Sequence, residues 1–191
     1  MIESPPAPPA RKVLAGTGHR PDKLGGYGAR VSARLVDLAR VVLVKHRPDE
    51  VISGMALGWD TALALAAIEL GIPLTAAVPF EGQERKWRPE QQEQFRALLA
   101  LATTVVIVSP GGYAVWKMQT RNEWMVDRAT GVLALWNGSG GGTGNCIEYA
   151  RTRHVEIVNL WAAWERYAFV PAAAPAPAGD DSEEHAQIRP A

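Results

Sequence analysis

At 191 residues, with 47% hydrophobic and 21% charged residues, the chain is long enough for one globular domain with a substantial core. Its 20 basic residues balance its 20 acidic ones, which weighs against bulk electrostatic attraction to nucleic acid or to a membrane and leaves only a local basic patch for such a role. The single cysteine, Cys146, rules out an intramolecular disulfide and points to a reducing, cytoplasmic setting, and no apolar run reaches the roughly 20 residues that span a bilayer.

Residues 1–11 are proline-rich (Ser4-Pro5-Pro6-Ala7-Pro8-Pro9), lack the basic-then-apolar pattern of a signal peptide and are expected to form a flexible arm. A first strand over residues 12–16 runs into Thr17-Gly18-His19-Arg20-Pro21 and a loop holding Lys23, Gly25, Gly26 and Gly28. Val31, Leu35, Leu38 and Val42 keep helical spacing, so residues 29–46 form an amphipathic helix, broken by Arg47-Pro48-Asp49. The second strand, residues 50–53, enters Gly54-Met55-Ala56-Leu57-Gly58-Trp59-Asp60 and a helix over residues 57–70 that stops at Gly71-Ile72-Pro73. A third strand (74–78), a polar loop (79–89), a helix (90–101) and a β-branched strand (104–108) follow. Residues 119–129 are helical in pattern, 131–136 form a fifth strand, 146–153 a short helix and 155–160 a sixth strand. From about Val170 the chain turns to Pro-Ala repeats and an acidic cluster, so residues 170–191 are expected to be a disordered tail. Strands alternating with helices across residues 12–165 imply one α/β, Rossmann-like, three-layer domain with a mainly parallel sheet.

In such sheets ligands bind beyond the carboxyl ends of the strands, and the unusual loops all lie there. Gly18, His19 and Arg20 follow strand one, where the Arg20 fork and the imidazole suit a phosphate; the structural alternative pairs Arg20 with a carboxylate. Ser53, Gly54, Gly58 and Asp60 surround a strand–turn–helix junction able to hold an anion, or merely a tight turn. Trp87 stands among Glu81, Glu84, Arg85, Lys86 and Arg88, either in a solvated charge run or in a lid whose indole stacks on a base. Arg121 and Asn122, near the start of a helix, suit a phosphate and a base or ribose edge; intrahelical pairing is the alternative. In the stretch from Gly138 to Asn145, Gly141, Gly142 and Thr143 offer backbone amides to a phosphate, with Thr143 and Asn145 as helix caps. Trp136 precedes that loop as a second stacking candidate. The spacing is neither the dinucleotide fingerprint nor a P-loop, and one Cys with four scattered His residues gives no metal site.

Taken in order, Gly18-His19-Arg20-Pro21 with Lys23-Leu24-Gly25-Gly26, Ser53 to Asp60, Pro79-Phe80-Glu81-Gly82-Gln83-Glu84, Gln119 to Asp127 and Gly141-Gly142-Thr143 resemble the YpsA-like branch of the SLOG superfamily, which includes the DprA/SMF and LOG relatives. The resemblance runs from about Val13 to Leu160. It implies a Rossmann-like domain that binds a nucleotide or nucleotide-derived ligand, in some members as a sensor in bacterial or phage conflict, and it makes a homo-oligomer an expectation. LOG relatives cleave the base from nucleoside monophosphates and DprA-type relatives bind single-stranded DNA. The chain departs from the LOG pattern Pro-Gly-Gly-x-Gly-Thr-x-x-Glu: Cys146 stands three residues after Thr143, and the first carboxylate is Glu148.

The leading expectation is a binding domain for a nucleotide-type ligand, with no further cofactor required. Its rival is an N-glycosidase acting on nucleotides, with Glu81, Glu123 or Glu148 as the carboxylate. A third expectation is an interaction scaffold or a DprA-like binder of single-stranded DNA, against which the neutral charge weighs.

Overall fold

The computed structural model describes residues 11–166. Of the arm expected over residues 1–11 only Arg11 lies within them, and the tail expected over 170–191 lies outside. The chain alternates strand and helix: β1 (Val13–Gly18), α1 (Ala29–His46), β2 (Glu50–Ser53), α2 (Trp59–Glu69), β3 (Leu74–Val78), α3 (Pro89–Leu101), β4 (Thr104–Ile107), α4 (Val115–Val126), β5 (Gly131–Leu135), α5 (Gly142–Thr152), β6 (Glu156–Asn159) and α6 (Trp161–Arg166). A single 3-10 turn, Pro21–Lys23, interrupts the loop after β1.

The six strands form one sheet in the order β4-β3-β2-β1-β5-β6, and every pairing is parallel. Successive side chains of a strand point to opposite faces, and here they sort into two cores. Leu14, Val51, Leu74, Ala76, Val78, Leu133 and Leu135 pack with α1, α2 and α3. Their neighbours Ala15, Ile52, Ala77, Val132 and Ala134 pack with α4 and α5 around Met125, Val126, Cys146 and Ile147. Both faces are therefore covered, which is why β3 and β5 are apolar at nearly every position. Leu43, Leu63 and Leu133 are wholly buried, each contributing on the order of 1.5–3 kcal/mol of hydrophobic stabilisation.

Local signals set the helix ends. Arg47, in the left-handed region at φ 46°, closes α1 by donating its N–H to the Leu43 carbonyl at 2.8 Å. Pro89 opens α3, and the Gln91 side chain accepts from the Arg88 N–H at 3.1 Å. α6 was not expected from the sequence. It is held from afar: the Arg34 guanidinium lies 3.9 Å over the Trp164 ring and donates to the Trp164 carbonyl. No helix among the described residues is long and apolar enough to cross a membrane.

Candidate functional site

β1 lies between β2 and β5, so the chain leaves it towards one edge of the sheet and later returns to its other side. The loops after β1 and β5 lead to helices on opposite faces of the sheet, α1 and α5, and a crevice opens at this point. A cavity of about 310 Å³ fills this place. Thr17, Gly18, His19, Arg20, Asp22 and Lys23 line it from the β1 loop. Residues 140–143 form its wall after β5. Ala56 and Asp60 come from the β2 side, Gln83 and Trp87 from the loop after β3, and Met118, Arg121 and Asn122 from α4.

A buried polar chain links three of these elements. Asp60 and Arg121 are 5% and 7% exposed, with Oδ2 and Nη1 3.8 Å apart. Arg121 also donates to the Gly54 carbonyl and, through Nε at 3.1 Å, to Asn122 Oδ1. Asn122 passes the connection on, donating from Nδ2 to the Gly142 carbonyl at 3.1 Å. Burial pushes the Asp60 carboxyl up to about 6; Arg121 and the Ala56 backbone amide oppose the shift without cancelling it. Burial likewise lowers Arg121 from the usual guanidinium range, against the pull of Asp60.

A second network knits the loops after β1 and β5. His19 Nε2 lies 2.7 Å from Asn137 Oδ1 and 3.2 Å from the Asn137 backbone nitrogen. The Ser139 amide donates to Asn137 Oδ1 at 3.0 Å, and Lys23 Nζ donates to Ser139 Oγ at 2.9 Å. Trp136 Nε1 donates to the Ser139 carbonyl at 2.7 Å. Burial lowers the His19 pKa below its ordinary value, against the hydrogen bond to Asn137, which raises it.

α5 starts at Gly142, four residues before the expected start, so Thr143 and Asn145 sit inside its first turn rather than ahead of it. No side chain among the described residues caps this helix. The residues at its N-terminus, Gly141, Gly142 and Thr143, line the cavity together with Arg20 and Lys23.

The structure brings Gly18, His19, Arg20, Asp60, Arg121, Asn122, Gly141, Gly142 and Thr143 to one cavity. Ser53, Gly54, Gly58 and Trp136 are not on its wall. Ser53 is wholly buried, donating from Oγ to the Asp60 carbonyl at 2.8 Å and accepting from the Met55 amide at 3.1 Å. Gly54 sits under the Arg121 guanidinium. Gly58 faces a different depression, of about 320 Å³, between α1, α2 and the start of α3. Trp136 braces the glycine loop through Ser139.

None of the three carboxylate candidates reaches the cavity. Glu81 is exposed on the loop after β3. Glu123 is half-buried and accepts from Gln119 Nε2 at 2.9 Å. Glu148 is exposed and paired with Arg151, one turn along the same helix. The acidic residues that do line the cavity are Asp22 and Asp60. Cys146, at the position three after Thr143, is 1% exposed in the α4–α5 core, and burial pushes its thiol up to about 11. A thiol protonated at neutral pH and out of reach is no nucleophile.

Gln83 and Met118 were missed as site residues. Gln83 carried one legible signal, its place within Pro79-Phe80-Glu81-Gly82-Gln83-Glu84 just past a strand end. Met118 carried none, because its exposure to the cavity follows from how α4 is set against β3.

Known proteins supply an independent comparison. The chain is 28% identical over 142 residues to the uncharacterized SPbeta prophage-derived protein YoqJ of Bacillus subtilis, covering 66% of this chain and 83% of that protein. It is 24% identical over 137 residues to the UPF0398 protein YpsA of the same organism, covering 66% and 76%. Among solved structures, DNA processing protein A from Streptococcus pneumoniae superposes with a TM-score of 0.56 at 17% identity, covering 77% of this chain and 49% of that one, so this chain spans about half its length. DNA processing protein A from Helicobacter pylori, a structure described for its single-stranded DNA binding mode, gives a TM-score of 0.56 at 15% identity over 76% and 63%. These two likenesses establish a shared fold. The model of the YspA SLOG family matches residues 15–156, nearly the whole of the sheet and its helices, and the chain belongs to that family.

Proposed function

We propose that the cavity binds a nucleotide or nucleotide-derived ligand, with its phosphate against residues 140–143 at the start of α5. The observation that carries this reading is the uncapped N-terminus of α5, open to the cavity and flanked by Arg20 and Lys23. Partial positive charge on free amides and two cationic side chains lining the same cavity favour an anion of phosphate size. Arg121 adds positive potential from the wall, although its hydrogen bonds are spent on Gly54, Asn122 and the pairing with Asp60. The cavity volume suits a mononucleotide-sized ligand, at the low end of small-molecule sites. The Helicobacter pylori neighbour binds single-stranded DNA; the neutral charge of this chain favours a small ligand over a strand.

A second reading rests on Asp60. A carboxyl raised to about 6 and facing a ligand cavity has the protonation behaviour of a general acid or base. It suits hydrolysis of an N-glycosidic bond, with Asp60 replacing the three glutamates that lie elsewhere.

The test is mass spectrometry of ligand released from the purified protein, followed by thermal-shift titration with a nucleotide panel. An intact nucleotide that raises Tm, with no change over hours, is the outcome expected of a binding domain. Release of free base, abolished in Asp60→Asn, selects the enzyme. If no nucleotide shifts Tm at millimolar concentration while a single-stranded oligonucleotide does, the small-ligand reading is wrong.

A further inference from the structure

Gln83 has an unmet need. The side chain lines the cavity yet is 9% exposed. Its Nε2 donates to the Met55 carbonyl at 2.7 Å. That bond settles the amide orientation, because the flipped amide would set two acceptors against each other. Gln83 Oε1 then has no hydrogen-bond partner among the described residues. An unpaired buried acceptor costs on the order of 1–3 kcal/mol, and folded proteins hold few of them.

The surroundings show that this orientation is held, not incidental. Met55 is wholly buried and sits in the left-handed region at φ 56°, which is disfavoured for any residue that carries a Cβ. The Ser53 hydroxyl fixes its amide and Gln83 its carbonyl. Ser53, Met55 and Gln83 thus lock one another, and the lock leaves a single acceptor over.

The position of Gln83 indicates what it meets. It follows β3, whereas the glycine loop follows β5, and β2 and β1 lie between them. β3 and β5 are three inter-strand steps of about 4.8 Å apart, and Gln83 reaches back towards β2 to bond the Met55 carbonyl, so about two steps, on the order of 10 Å, lie between its side chain and the glycine loop. That span takes a nucleotide from its phosphate to its base. Trp87, on the same loop and held edge-to-face against Phe95 at 5.4 Å, lines the same end.

We propose that Gln83 is the specificity residue of this site and that its Oε1 accepts a hydrogen bond from an exocyclic amino group on the base. The inference rests on the nucleotide reading given above. An amino group projects beyond the ring and reaches a recessed acceptor. A carbonyl at the same ring position presents lone pairs to Oε1 and is rejected. Oε1 is covered in the free chain, and the side chains over it move aside for the incoming donor while the Nε2 bond to the Met55 carbonyl is kept. A site built around one polar group discriminates strongly against a ligand that leaves that group unpaired.

Isothermal titration of the full chain with AMP against IMP and CMP against UMP provides the test, with the deoxyribonucleotides as a further arm. At least one amino-bearing member is expected to bind tenfold or more tightly than its carbonyl partner, and Gln83→Leu is expected to bring that ratio close to one while phosphate-dependent binding persists. Should the variant fail to fold, the wild-type ratios decide alone. Binding of all four with equal affinity overturns the role of Gln83 and leaves the nucleotide reading standing. Discrimination between ribose and deoxyribose without discrimination between amino and carbonyl bases overturns it too, by assigning Oε1 to a sugar hydroxyl. If no nucleotide binds, both readings fall.

Discussion

Two glycine turns lead into helices at the same end of the sheet, and they serve opposite purposes. In the turn before α2, the glycines make room for protein. A methyl group at Gly54 would overlap the Arg121 guanidinium and lie 2.8 Å from Asp60 Oδ2; one at Gly58 would lie 2.7 Å from the His19 carbonyl oxygen, at a backbone φ of 100°. In the turn before α5, a methyl at Gly140, Gly141 or Gly142 would meet nothing within 4 Å. The first turn is packed shut and carries the polar chain that supports the cavity. The second is open and carries the free amides. In a sequence both are strand, glycines, helix, so glycine density by itself does not separate a scaffold from a binding surface.

This contrast can be broken or sharpened by substitution. Gly54→Val should have the largest effect, displacing Arg121 and leaving Asp60 buried without its partner, with a loss of about 4 kcal/mol or more in chemical denaturation. A folded variant of near-normal stability would show that the turn before α2 is not packed as described. Gly58→Ala combines an unfavourable φ with a close backbone oxygen, and a loss of about 3 kcal/mol is expected from the same measurement. An unchanged midpoint would contradict that contact.

Asp60 gives the comparison a pH axis. Its pKa is about 6 when folded, against 3.8 for an ordinary aspartate, so the folded state binds the extra proton between those values. Stability should therefore rise as pH falls from about 6 towards 4 and decline as pH climbs back through that window. Asp60→Asn should flatten this part of the profile; a slope that survives the substitution belongs to another group. The smallest effect is expected at the open turn. Gly142→Ala places a methyl in free space at the first position of α5 and should leave stability unchanged or raise it by up to about 1 kcal/mol. Nucleotide affinity should nevertheless fall about tenfold. A variant with full affinity would detach the glycine loop from the ligand.

Much of the architecture was legible in the residues. The helix at 29–46 falls where its apolar spacing puts it, because one face is buried, and the strands at 50–53 and 74–78 follow the chain breaks read before them. Boundaries failed where non-local bonds decide. α4 spans Val115–Val126 rather than 119–129, with Lys117 donating to the Pro110 and Gly112 carbonyls at 2.5 and 2.7 Å. α5 begins within glycines that read as loop, because Asn122 holds the Gly142 carbonyl from another helix.

The sequence by itself determined the layer order and the end of the sheet at which the cavity opens. Alternating strands and amphipathic helices have few other ways to bury their apolar faces. It also marked His19, Arg20, Asp60, Arg121 and the glycine run, since charged and glycine-rich loops at strand ends stand out against that pattern. Only the tertiary structure decided which glycines are open and which are filled. It alone took Glu81, Glu123 and Glu148 away from the cavity and left Gln83 Oε1 without a partner among the described residues. Each of these depends on the distance between groups far apart in the chain, and periodicity along the chain carries no such distance.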